Sequence, residues 1–133
     1  MSQRRNLEGF EGKEMIRMSQ RDGWMLYLDD NRTPSDVQDW IVSRTVQHAK
    51  NLVMHMGMPS FISFDHDIDE TGTGYDFAKW LVEQDQNGKF EFPPNFRYYV
   101  HSANPVGAQN IKGLLDSYLQ HKKSEKEGKG DEL

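Results

Sequence analysis

The sequence predicts a three-layer α/β fold: a short parallel sheet of four strands covered by helices. Two observations carry that prediction. Apolar runs recur as "WMLYL" at 24–28, "WIVSR" at 40–44, "SFISF" at 60–64 and "FRYYV" at 96–100. Stretches with apolar residues at helical spacing fall between the later runs and after the last. Strands alternating with helices pair in parallel and are covered on both faces.

The elements follow in chain order. Residues 1–22 mix charge, Gly and Gln with little periodicity, which predicts a mobile extension. Leu7, Phe10, Met15, Ile16 and Met18 leave room there for a short packed helix. After the first strand, Thr33 is placed to cap a helical turn that Pro34 opens. Residues 45–56 put Val46, Ala49, Val53 and Met56 on one helical face, and Gly57 ends the run. Thr73 with Asp76 three positions later resembles a capping box ahead of Phe77, Ala78, Leu81 and Val82. Asn87-Gly88 closes that helix and Pro93-Pro94 leads to the fourth strand. Asn104-Pro105 starts a helix whose stripe is Ile111, Leu114, Leu115, Tyr118 and Leu119. From 121 on, "HKKSEKEGKGDEL" is nearly all polar and reads as a charged, solvated tail. The folded body is thus expected over 23–120.

Composition narrows the function classes. A chain of 133 residues supports one domain with a single core. It contains no cysteine, which removes disulfides, a thiol nucleophile and zinc–thiolate sites and fits a reducing, cytoplasmic setting. No apolar run approaches the roughly 20 residues that span a bilayer, so no membrane partner is expected. The formal net charge of −5 argues against broad, nonspecific nucleic-acid binding. A small phosphorylated ligand or a nucleic-acid end is compatible with it, because a bound metal reverses the sign locally.

Right-handed crossovers put the C-terminal ends of all four strands on one edge, where such sheets bind ligands. Polar groups follow the strands: Asp29-Asp30 after the first, Asp65-His66-Asp67 after the third, His101-Ser102 after the fourth. Carboxylates gathered on one edge repel each other unless a cation sits among them. A divalent metal, Mg²⁺ or Mn²⁺, resolves that conflict, with Asp29, Asp30 and Asp65 as ligands. His66 and His101, with Asp67 beside them, form the expected acid–base group, since imidazole titrates near neutrality. Either histidine could instead ligate a transition metal. The helix start at Asn104, with Ser102, is suited to a phosphate. Arg32 is placed either to bind phosphate in a fork or to pair with Asp29 or Asp30. Thr71-Gly72-Thr73-Gly74 reads as a polar lip over this pocket.

Four blocks carry a family resemblance: "LYLDDNRTP" at 26–34, "ISFDHDI" at 62–68, "TGYDFAKWL" at 73–81 and "YVHSANPVGAQNI" at 99–111. Together they resemble the cyclic-phosphate processing receiver-like domain family, over about 26–115. The resemblance implies a compact receiver/flavodoxin-like fold and a role in processing cyclic phosphates of nucleotides or RNA ends. It also places Asp29, Asp30, Arg32, Asp65, His66, Asp67, His101, Ser102 and Asn104 at the family's motif positions. Two departures separate the chain from signalling receivers. No fifth strand with its lysine follows the last helix, and His66-Asp67 follow the position of the phosphoacceptor. The expected function is therefore a metal-dependent phosphoesterase with water as nucleophile. The alternative is a receiver-like module that binds a phosphate ligand or a partner without turnover.

Overall fold

The computed structural model describes residues 23–68 and 71–132, with side chains described through 125. The extension expected at 1–22, including its possible helix, lies outside the described residues. The four strands are β1 (Met25–Leu28), β2 (Ile41–Ser43), β3 (Phe61–Phe64) and β4 (Arg97–Val100). They form one parallel sheet in the order β2-β1-β3-β4. The chain leaves β1 toward β2 and then crosses back to β3, so the topological switch point lies between β1 and β3.

Three α-helices accompany the sheet among the described residues: α1 (Val46–Met56), α2 (Gly74–Gln86) and α3 (Pro105–Glu132). Each starts where its sequence provides a cap. The Thr45 hydroxyl accepts from the His48 amide at 3.0 Å. Thr73 and Asp76 form the full capping box, each side chain accepting from the other's backbone amide. Asn104 accepts from the Gly107 amide at 3.0 Å and opens α3. These bonds satisfy donors that a helix start leaves without intrahelical partners.

Alternation along the strands sorts the side chains onto two faces. Leu26, Leu28, Ile62 and Phe64 point to the helical side and are fully buried. There they join Val46, Ala49 and Val53 of α1, Phe77, Ala78 and Leu81 of α2, and Ile111 and Leu115 of α3 in one core. The opposite face is built differently. Met25, Tyr27 and Phe61 are half-buried on it, while Arg97 and Tyr99 are exposed. Among the described residues its outer layer is the 3-10 turn Val37–Asp39 and the Trp40 ring, which meets Tyr27 at 5.7 Å and Phe61 at 5.1 Å. Handedness explains the asymmetry. The β1–β2 connection runs in the opposite direction to the others, so it crosses on the other face. It has no amphipathic run long enough to cover that face.

The last helix departs from the sequence reading, which ended it at 120. It continues to Glu132 through the stretch expected as a solvated tail. That stretch is rich in Lys and Glu, both good helix formers, and contains no Pro to stop the helix. Lys122 also ties it down, its Nζ donating to buried Asp85 of α2 at 2.7 Å. Residues 121–125 remain largely exposed, so the segment is solvated but helical.

Candidate functional site

The parallel ladder runs one residue past the strands at their C-terminal edge. The amide of Asp29 donates to Ser43 O at 3.0 Å, that of Asp65 to Leu28 O at 2.9 Å and that of His101 to Phe64 O at 2.9 Å. Leu28, Phe64 and Val100 are in register, so Asp29, Asp65 and His101 stand in one row across three strands. Alternation turns this row to the thinly covered face, above Tyr27, Ser63 and Tyr99. Three ligand atoms, one from each residue, lie within 4.8 Å of one another.

Asp29 is fully buried and its carboxylate is saturated with donors. Oδ1 accepts from the amides of Asn31 at 2.8 Å and Arg32 at 2.7 Å, a local turn of the kind Asp favours. Oδ2 accepts from His101 Nε2 at 2.8 Å and Arg32 Nε at 3.0 Å. Burial pushes this carboxyl up, but the two amides, His101 and the Arg32 charge outweigh it and hold Asp29 below the usual carboxylate range. Asp65 is also buried, with Oδ1 accepting from the His66 amide at 2.8 Å and Oδ2 from Arg32 Nη2 at 3.3 Å. Arg32 therefore bridges both carboxylates, and its Nη1 also donates to His101 O at 3.4 Å. Of the two roles foreseen for Arg32, the ion pair is formed, and its side chain stays half exposed at the site.

His101 is held from three sides. Nε2 faces Asp29, Nδ1 lies 2.8 Å from Ser63 Oγ, and the ring stacks on Tyr27 at 4.6 Å and 11°. A hydroxyl both donates and accepts, so Ser63 serves either neutral tautomer of the imidazole. Burial and then the Asp29 charge push the Tyr27 phenol up, which keeps it protonated beside the site.

The remaining expected residues are arranged otherwise. Asp30 is exposed and is not among the three clustered ligands, and His101 takes the place expected for it. His66 turns to the start of α3, where the missing Cβ of Gly107 makes room for its ring; any larger residue would collide with it. Its Nδ1 pairs with exposed Asp67 at 2.9 Å, and Asn104 Nδ2 donates to the same Asp67 oxygen at 3.5 Å. The His66 hydrogen bond, then Asn104, hold the Asp67 carboxyl below its usual range against a small opposing effect of burial. The two imidazoles thus engage different partners, His66 with Asp67 and His101 with Asp29 and Ser63. Physically, one residue of offset along the strand end sends His66 to the opposite side from the row of Asp29, Asp65 and His101. Ser102 and Asn104 are taken up in capping: Ser102 Oγ accepts from the Asn104 amide at 3.0 Å, and Asn104 occupies the Gly107 amide. The expected lip is held down as well, since the Gly74 amide donates to His66 O at 2.7 Å.

Ser63, Tyr27 and Arg44 were not foreseen. Arg44 Nη1 donates to Asp29 O at 3.1 Å and also to Arg32 O, while Nη2 donates to Thr33 Oγ1 at 2.7 Å; it fixes the loop that presents Arg32. A serine inside the apolar run "SFISF" was the available signal for Ser63. Arg44 sat at the end of an apolar run and was counted with the strand.

The family model for the cyclic-phosphate processing receiver domain matches residues 24–117, which takes in the whole sheet and every site residue named above. The chain belongs to that family. No curated protein and no solved structure matches it. This cyclic-phosphate processing receiver domain has the four-stranded parallel sheet and three helices of a receiver/flavodoxin-like fold. Its Asp29, Asp65 and His101 form a group able to hold a metal ion. None of its described helices is long and apolar enough to cross a membrane.

Proposed function

We propose that the domain is a metal-dependent phosphoesterase acting on a cyclic or terminal phosphate of a nucleotide or RNA end. The observation that carries this reading is the row of two buried carboxylates and an imidazole at the switch point, with an arginine half exposed beside it. With Arg32 drawn off Asp29 Oδ2 and the His101 proton moved to Nδ1, where Ser63 Oγ accepts it, the donor set fits a divalent cation: carboxylate oxygens suit Mg²⁺ and Mn²⁺, and the imidazole shifts the preference toward Mn²⁺. Asp29, Asp65 and His101 would hold the cation, which would supply Lewis-acid polarisation when bound. Arg32 donates from its half-exposed face to the remaining phosphoryl oxygens. Ser63 and Tyr27 fix the plane and height of the His101 ring. The His66–Asp67 pair at the start of α3 is placed to exchange a proton at the rim rather than beside the carboxylates.

A second reading, phosphate binding without turnover, draws on one specific observation. Arg32 lies 3.0 Å from Asp29 and 3.3 Å from Asp65, so it offsets their charge without an ion. The two readings separate on a panel of 2′,3′-cyclic and 3′,5′-cyclic nucleotides assayed with Mn²⁺ or Mg²⁺. The enzyme reading expects hydrolysis that EDTA stops and that Asp65→Ala and His101→Ala each abolish. Binding of the same nucleotides with no product formed, in either metal, assigns the domain to the second reading.

A further inference from the structure

A parallel sheet is ordinarily buried on both faces, and among the described residues this one is covered by helices on one face only. On the thinly covered face Tyr99 is 60% exposed. Beside it on β4, exposed Arg97 lays its guanidinium over the Phe61 ring at 4.3 Å. Tyr99 is in register with Ser63, the residue that orients His101, and lies two positions before His101 on the same strand and face. Two residues of strand advance about 6.4–6.8 Å. That is the reach from a base across its ribose to the phosphate the ribose carries. Exposed Tyr99 and the Arg97–Phe61 pair therefore lie on the same sheet face as the row of Asp29, Asp65 and His101.

We propose that Tyr99, with Arg97 and Phe61, is a base-stacking platform, and that the ligand of this domain is a mononucleotide carrying its phosphate on the ribose. The proposal rests on the reading of the sheet edge as a phosphate site and adds what lies next to it. Exposed aromatic rings and arginine planes on a sheet stack nucleobases with little regard to sequence. The net charge of −5 favours a single nucleotide over a long strand.

The test uses the full chain, Mn²⁺ and two probes, 3′-AMP and inorganic phosphate, with dissociation constants measured by calorimetry. Tyr99→Ala is expected to weaken 3′-AMP about tenfold to a hundredfold, the range that loss of one base–aromatic stack produces. The same change should leave inorganic phosphate unaffected, and Tyr99→Phe should bind 3′-AMP as the parent does. An unchanged 3′-AMP affinity in Tyr99→Ala overturns the platform while leaving the phosphate site standing. Failure of both probes to bind the parent overturns the platform and the phosphate reading together. A native mass above one chain that falls in Tyr99→Ala assigns the face to a second copy. A Tyr99 ring resonance that moves on deleting residues 1–22, with no nucleotide present, assigns it to that segment. Either result also overturns the platform.

Discussion

Asp29 concentrates the chemistry of the edge in one residue. Its carboxyl titrates below its unfolded value, so the stability it contributes is fully present above about pH 4, the ordinary carboxylate range, and is lost as pH falls through the lower folded value. Urea denaturation of Asp29→Asn should accordingly show a flatter loss of stability on acidification than the parent. Gly107 gives a steric counterpart at the same scale. A methyl group there meets the His66 imidazole, so Gly107→Ala should cost about 1–3 kcal/mol, the usual range for forcing atoms into a packed site. His66→Ala combined with it should recover most of that loss, because the collision partner is gone.

Between elements, the α2–α3 contact depends on a buried acid. Asp85 accepts from the Phe92 amide at 2.8 Å, Tyr118 Oη at 2.9 Å and Lys122 Nζ at 2.7 Å. Burial, then the bond to Asp85, raises the Tyr118 phenol to about 12, so it stays a donor across the physiological range. Asp85→Ala strands a buried amide and removes the anchor of the last helical turns. The expected cost is about 1–3 kcal/mol in urea denaturation, with faster amide exchange after residue 120. Thr73→Ala removes half of the capping box at the start of α2 and should cost about 1 kcal/mol.

Across the whole molecule, a metal that binds only the folded state must raise its stability. At a hundredfold excess over its dissociation constant the gain is about 2.7 kcal/mol. Thermal unfolding with and without Mn²⁺ should therefore show an upward shift in the parent that vanishes in Asp65→Asn. Asp30→Asn should retain the shift, since Asp30 lies outside the clustered ligands. Loss of the shift in Asp30→Asn as well would restore the ligand set expected from sequence.

What the sequence determined by itself is the framework and the edge on which the site forms. Strand and helix periods, the Thr73–Asp76 box and the Asn104-Pro105 start are local properties, and local spacing suffices to read them. Strand ends in Asp29, Asp65 and His101 were legible for the same reason, because parallel topology puts all such ends together. Three things were decided only in the tertiary structure. The grouping of His101, rather than exposed Asp30, with Asp29 and Asp65 depends on alternation carried across aligned strands, and register comes from pairing rather than from one segment. The separation of His66 from His101 has the same origin. The thin cover of one sheet face among the described residues depends on which connections cross on which side, a global consequence of handedness that no single stretch of residues records.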